Sequence, residues 1–155
     1  MTYPGGYSPY NCAEKMGIDI VYRELDDEYG MWVPDLQTIF LQPGMRRIHE
    51  ICVLTHEIGH ALLGHREGTP KNERQANIFM AVKLVDPVKL RQVQAISQDP
   101  NVWANELNVT LQALEIYLNE HELGRTWDLQ ITEKALYTKT AQVGKPQYLL
   151  TVNAR

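Results

Sequence analysis

The sequence predicts an α+β fold in which a small antiparallel sheet of three strands packs on one buried helix, with further helices following it. Two observations indicate this class. Short runs of β-branched and aromatic residues, separated by turn residues, fill the first third of the chain. After them, apolar residues recur at the spacing of a helix. The length of 155 residues suits one domain with one core.

Prolines and glycines divide the first third of the chain into short elements. A helix is predicted at residues 9–16, because Gly17 ends it. Strands are predicted at residues 18–22, 31–33 and 38–41, each rich in strand-forming residues and bounded by turn residues. Three short strands at this spacing indicate an antiparallel meander.

The remainder of the chain is mostly helical in pattern. Apolar residues at helical spacing over 45–64 predict a largely buried helix. A break at Gly68, Thr69 and Pro70 separates this helix from the next. Further helices are predicted at residues 71–85, 88–96 and 111–123.

The domain prediction assigns residues 1–125 to one domain. Residues 126–155 form a C-terminal extension, for which a packed segment and an arm on a partner are both open. A strand is predicted within it at residues 148–152.

Composition favours a cytoplasmic protein. No signal peptide is expected, since the first ten residues lack an apolar run, and no segment is long and apolar enough to cross a bilayer. Cys12 and Cys52 are too few for a disulfide framework, so both are expected to be reduced. Core packing is the favoured interpretation of Cys52 over metal binding. The net charge of −4 gives no sign of a nucleic-acid surface.

The pentapeptide His56–Glu57–Ile58–Gly59–His60 carries the predicted chemistry. On a helix, residues four apart lie on one face, so both imidazoles can bind one zinc ion. Glu57 lies beside them, where it can hold a water. Average residue frequencies give this motif by chance in about 0.5% of chains of this length, and its place in an apolar helix lowers that further.

A catalytic zinc site usually has a third protein ligand. Four residues downstream are candidates: His65, Glu67, Glu73 and Asp86. Glu73 is favoured by position, since it falls in the first turn of the next predicted helix, which could return over the histidines. A capping or solvated glutamate remains the alternative. Asn77, one turn further on, could accept a hydrogen bond from a zinc-bound histidine and fix its tautomer.

Residues 55–85 resemble the core of the ImmA/IrrE family of zinc metallopeptidases. The family pattern is HExGH followed by Glu-x-x-Ala-Asp/Asn-x-Phe-Ala, and Glu73, Ala76, Asn77 and Phe79 occupy its positions here. The resemblance implies a minimal zincin fold, one zinc ion and Glu73 as the third ligand. Two departures occur, since Asn77 replaces the more frequent aspartate and Met80 the usual alanine.

With two imidazoles and one carboxylate on the zinc ion, Glu57 is expected to act as the general base for the attacking water. Substrates of zincins commonly lie along an edge strand, for which residues 38–42 are the expected candidate. His65, Tyr29 and Tyr137 are the candidates for a donor to the oxyanion, and the sequence does not choose among them.

The implied substrate is a protein or peptide, and the leading class is a helix-turn-helix repressor encoded nearby on a phage or mobile element. One alternative is a zincin-fold antirepressor that binds a repressor without cleaving it. Direct DNA binding through residues 106–123 is a third hypothesis, disfavoured by the carboxylates Glu115, Glu120 and Glu122. Neither a membrane nor direct nucleic acid is expected as a partner, and the oligomeric state is left open.

Overall fold

The computed structural model describes residues 2–123 of the chain. Within that part, six helices and three strands follow one another as α1 (Pro9–Lys15), β1 (Asp19–Tyr22), β2 (Gly30–Val33), β3 (Thr38–Leu41), α2 (Arg47–Leu62), α3 (Pro70–Leu84), α4 (Pro87–Gln94), α5 (Pro100–Leu107) and α6 (Leu111–Leu123). The predicted α+β class is confirmed. The predicted domain boundary at residue 125, the extension and its strand at 148–152 lie outside the described residues.

The three strands form a mixed sheet in the order β1-β3-β2. Strand β1 pairs with β3 in parallel, and β2 pairs with β3 in antiparallel orientation. The predicted antiparallel meander is therefore wrong in its order and in one direction. Strand β3 takes the centre because all four of its residues are buried, with Ile39 and Leu41 fully inaccessible, whereas β1 and β2 are largely exposed or half-buried.

Helix α2 lies between the sheet and α3. Its residues Leu54 and Ile58 have no exposed surface and belong to the large apolar core of the described residues. Gly59 permits the close approach of α3, since a Cβ atom there would lie 3.3 Å from the Cα of Ala76 and 3.0 Å from Cδ1 of Phe79. The two helices that carry the candidate site are therefore in direct backbone proximity.

Helix α6 packs on α3. Ala113, Leu114 and Tyr117 of α6 are buried, and Arg74 of α3 forms an ion pair with Glu120 of α6 at 2.6 Å. One face of α6 is thus occupied within the domain.

Helix α5 is an element that the sequence analysis did not predict. Asp99 accepts a hydrogen bond from the backbone N–H of Asn101, and Pro100 occupies the first turn.

Among the described helices, none combines the length and the apolar character that a membrane span requires.

Candidate metal centre

Helix α2 places two imidazoles side by side. Their Nε2 atoms lie 3.1 Å apart, as residues one helical turn apart on the same face allow. His60 is buried and His56 is half-buried. The predicted pairing of His56 and His60 is thus present in the structure.

Helix α3 adds a carboxylate to this pair. The chain turns after α2 and restarts at Thr69, whose hydroxyl accepts from the backbone N–H of Asn72 and so begins α3. Glu73 then lies in the first turn. Its Oε2 is 3.2 Å from Nε2 of His56, and its Oε1 is 3.1 Å from Nε2 of His60.

The other three ligand candidates lie elsewhere. Glu67 is exposed and lines the cleft into which the three side chains open. Asp86 accepts hydrogen bonds from the backbone N–H groups of Val88 and Lys89 and caps α4. The ring of His65 lies against the outer nitrogen of His60, away from the three converging atoms. Glu73 is thus the residue that the structure brings to the two histidines.

The three side chains fit a metal ion. Ligand atoms of His56, His60 and Glu73 all lie within 4.8 Å of one another. Bonds of about 2.0–2.1 Å in tetrahedral zinc sites place neighbouring ligand atoms roughly 3.3 Å apart. The closest contacts among the three side chains, 3.1–3.2 Å, are close to that spacing. Two imidazoles and one carboxylate also match the chemistry of such a site.

The surroundings keep both histidines neutral. Burial lowers the pKa of His56, and the Glu73 carboxylate opposes this only in part. Burial also lowers the pKa of His60, and the neighbouring His56 lowers it further. Each ring therefore offers a lone pair, which is the form that binds a metal ion.

Glu57 lies beside the three converging side chains and is held by the sheet. Its Oε2 accepts a hydrogen bond of 2.9 Å from the backbone N–H of Trp32 in β2. Burial raises the pKa of Glu57 to about 8, the Trp32 amide opposes this rise, and Glu73 and Glu28 add to it. A divalent cation at the three-residue group would favour the carboxylate form. Glu57 is thus positioned to exchange a proton beside such an ion.

Asn77 lies where the sequence analysis places it. Its side chain is hydrogen-bonded to His56, and it also lines the cleft. An outer partner of a metal-bound histidine would occupy such a position.

The side chains of His56, His60 and Glu73 line a cleft of about 780 Å³. Its lining includes residues 28–32 together with Asn77, Met80, Thr110 and Gln112. Cys52 lies at the cleft with its thiol near the Thr110 hydroxyl, and both cysteines are buried and unbonded to each other.

The edge strand at the cleft is β2. The prediction that residues 38–42 form the edge is wrong, because β3 is the central strand. The backbone N–H of Gln42 donates to the carbonyl of Tyr29. Because hydrogen-bonded and non-hydrogen-bonded pairs alternate along an antiparallel ladder, the backbone N–H and C=O groups of Gly30 and Trp32 point away from β3. The Trp32 N–H does point outward, since it meets Glu57.

Two of the three candidate oxyanion donors fall within the described part of the chain, and Tyr137 lies outside it. Tyr29 lines the cleft, is 57% exposed, and packs edge-on against His49 with ring centroids 4.5 Å apart. His65 is buried, and both of its ring nitrogens have partners.

Sequence reasoning missed several residues around the site, among them His49 and Gln75. His49 lies on α2 seven residues before His56, and that spacing could have placed it on the same face. Gln75 contacts His65, and no feature of the sequence pointed to it.

The chain matches a known protein family. The model of the IrrE N-terminal-like domain, Peptidase_M78, matches residues 13–119. The matched part runs from α1 into α6 and includes every residue of the candidate site. No curated protein and no solved structure shows a significant match to the chain.

Proposed function

The chain belongs to the family of IrrE N-terminal-like peptidase domains, and on that premise we propose that it is a zinc-dependent endopeptidase. The observation that carries the proposal is the convergence of His56, His60 and Glu73, with Glu57 held beside them by the edge strand. These three side chains would hold one zinc ion. Such an ion would supply Lewis acidity for the scissile carbonyl and increase the acidity of a water.

In the proposed mechanism, Glu57 accepts the proton of the attacking water and passes it to the leaving amine. The Trp32 amide holds one carboxylate oxygen, so the other is available for the proton. An extended peptide would pair with the outward N–H and C=O of Gly30 along β2. Asn77 keeps His56 in place through its hydrogen bond.

The proposed substrate is a transcriptional repressor of the helix-turn-helix class, encoded nearby on a phage or mobile element. The resemblance of residues 55–85 to the ImmA/IrrE peptidases supports this class. The cleft rim also carries Glu28 and Glu67, which would complement the basic side chains typical of DNA-binding proteins.

The second candidate is an antirepressor that sequesters the repressor without cleaving it. The cleft favours neither candidate, since it could hold a peptide in both cases. The chemical groups of the site favour the peptidase, because a protein that only binds a repressor has no need of a buried glutamate beside three ligand side chains.

Metal removal tests the proposal. The purified chain, loaded with zinc, is incubated with the repressor encoded beside it, and products are identified by mass spectrometry. We expect two fragments whose masses sum to the intact repressor plus one water. A chelator should abolish cleavage, and added zinc should restore it. An intact repressor recovered in a stoichiometric complex would support sequestration instead.

A methyl group at Gly30 is expected to impair catalysis without removing the metal. Its Cβ would lie 2.6 Å from Cγ1 of Val53 and 3.0 Å from Cγ of Glu57. Gly30→Ala must therefore displace the Glu57 side chain or the edge strand. We expect kcat for a peptide substrate to fall about tenfold, as small misplacements of catalytic groups do, with zinc stoichiometry retained.

Val53→Ala in the Gly30→Ala background separates the two contacts. It removes the closest clash but leaves the one with Glu57, so kcat should stay low. Full recovery of kcat would show that displacement of Glu57 is not the cause.

A further inference from the structure

The chain folds back on itself after α2. Gly64 has φ +72°, a left-handed conformation that glycine adopts without strain, and it follows the last turn of α2. The next backbone N–H, that of His65, donates to the carbonyl of His60 at 2.9 Å. This turn places the His65 ring directly against the His60 ring, with centroids 5.2 Å apart.

Three side chains then form a chain of hydrogen bonds leading away from the candidate metal centre. Nδ1 of His60 is 3.0 Å from Nδ1 of His65. Nε2 of His65 is 2.9 Å from Oε1 of Gln75 on α3. Both histidines are buried, with 7% and 8% of their surface exposed.

Only one placement of protons agrees with both a metal ligand at His60 and this geometry. Nε2 of His60 faces Glu73, so as a ligand it carries a lone pair and Nδ1 carries the hydrogen. Nδ1 of His60 then donates, and Nδ1 of His65 accepts. Nε2 of His65 in turn carries a hydrogen, which it donates to the Gln75 carbonyl oxygen, an atom that can only accept.

We infer that His65 and Gln75 are positioning residues for the metal centre, which fix the tautomer and the orientation of His60. The inference rests on the proposed metal site but requires no peptidase activity. His65 thus acts through His60, and neither as a ligand nor as a donor to the oxyanion. Gln75 sets the direction of these hydrogen bonds, because its oxygen takes the hydrogen on Nε2 of His65 and leaves Nδ1 of His65 as the acceptor toward His60.

The arrangement gives each imidazole an outer partner. His56 has the Asn77 side chain, and His60 has the pair His65 and Gln75. Outer partners of this kind raise the basicity of a ligand and hold its ring, and their loss typically costs about 10–100-fold in metal affinity.

The test measures the dissociation constant of zinc by competition with a chromophoric chelator. Gln75→Leu removes the acceptor and should weaken zinc binding about tenfold, and His65→Phe removes the whole connection and should weaken it by about 10–100-fold. Gln75→Glu keeps an acceptor and makes the hydrogen bond charge-assisted. Its affinity should equal or exceed that of the wild-type chain.

Gln92→Leu, at an exposed position of α4, is the matched control and should bind zinc within twofold of the wild-type chain. A purely structural role for Gln75 would weaken binding equally in the leucine and glutamate variants, and that result would overturn the inference. Binding within twofold in both Gln75→Leu and His65→Phe would also overturn it.

The metal site itself is tested separately by a double variant, His56→Ala with His60→Ala. If the wild-type chain binds zinc no more tightly than this double variant, the metal centre and the proposed function both fail. If the wild-type chain binds zinc tightly while the substitutions of His65 and Gln75 leave the affinity unchanged, only the positioning role of these two residues fails.

Discussion

Replacing Glu57 by glutamine is expected to lower kcat for peptide hydrolysis about 10³-fold, the usual contribution of a general acid–base residue, while zinc remains bound. The amide has nearly the shape of the carboxylate and still offers an oxygen to the Trp32 N–H, which meets Oε2 at 2.9 Å in the wild-type chain. It cannot take a proton from water. The three ligand side chains are unchanged, so the affinity for zinc should stay within a few-fold.

The measurement is single-turnover cleavage of a peptide or of the neighbouring repressor, with zinc content determined on the same samples. Glu115→Gln, at an exposed position of α6, is the control for loss of one carboxylate. In a reporter strain, Glu57→Gln should leave repression in place. If it relieves repression as fully as the wild-type chain, sequestration and not proteolysis is the mechanism.

The sequence predicted those features that depend on local spacing. His56 and His60 lie four residues apart on a helix, and the period of a helix alone brings their rings together. The bounds of α2, α3 and α6 follow from apolar periodicity and from breaks such as Gly64 and Pro70. Predicting Glu73 as a ligand needed more than local spacing. Its position in an early helical turn left a capping role open until the second motif was considered.

Strand order could not be predicted in this way. The spacing of three strands does not state which of them is central, because that depends on which strand buries both of its faces. Strand β3 carries Ile39, Phe40 and Leu41 in a row, and all three are buried. A continuous apolar run of this kind is the signal that a central strand gives, and the meander interpretation overlooked it.

The remaining contacts of the site join residues that meet only in the folded chain. Gly30 meets Glu57 across the interface between β2 and α2, and Gln75 meets His65 across a loop. Neither pair has a characteristic spacing. Helix α5 did have a local signal, Asp99 followed by Pro100, which is a common helix start.

A valine at Gly59 is expected to destabilise the fold and weaken the metal centre together. The Cβ atom would lie 3.0 Å from Phe79 Cδ1 and 3.3 Å from the Cα of Ala76, and two further methyl groups must find space in the same contact. Overpacking of this kind costs about 1–3 kcal/mol, against a gain of a few tenths of a kcal/mol in helix propensity. We expect a net loss of about 2 kcal/mol in the free energy of unfolding, measured with denaturant on the metal-free chain.

The same substitution reaches the metal centre through helix geometry. Gly59 lies one turn after His56, and Ala76 lies one turn after Glu73, so a wider gap between α2 and α3 moves the carboxylate away from both imidazoles. Zinc affinity should therefore fall together with stability. Ala61→Val adds the same β-branched residue to α2 at a half-buried position and controls for the presence of a valine in this helix. If Gly59→Val lost stability but bound zinc as tightly as the Ala61→Val control, the spacing of the two helices would not be what places Glu73 against the two histidines.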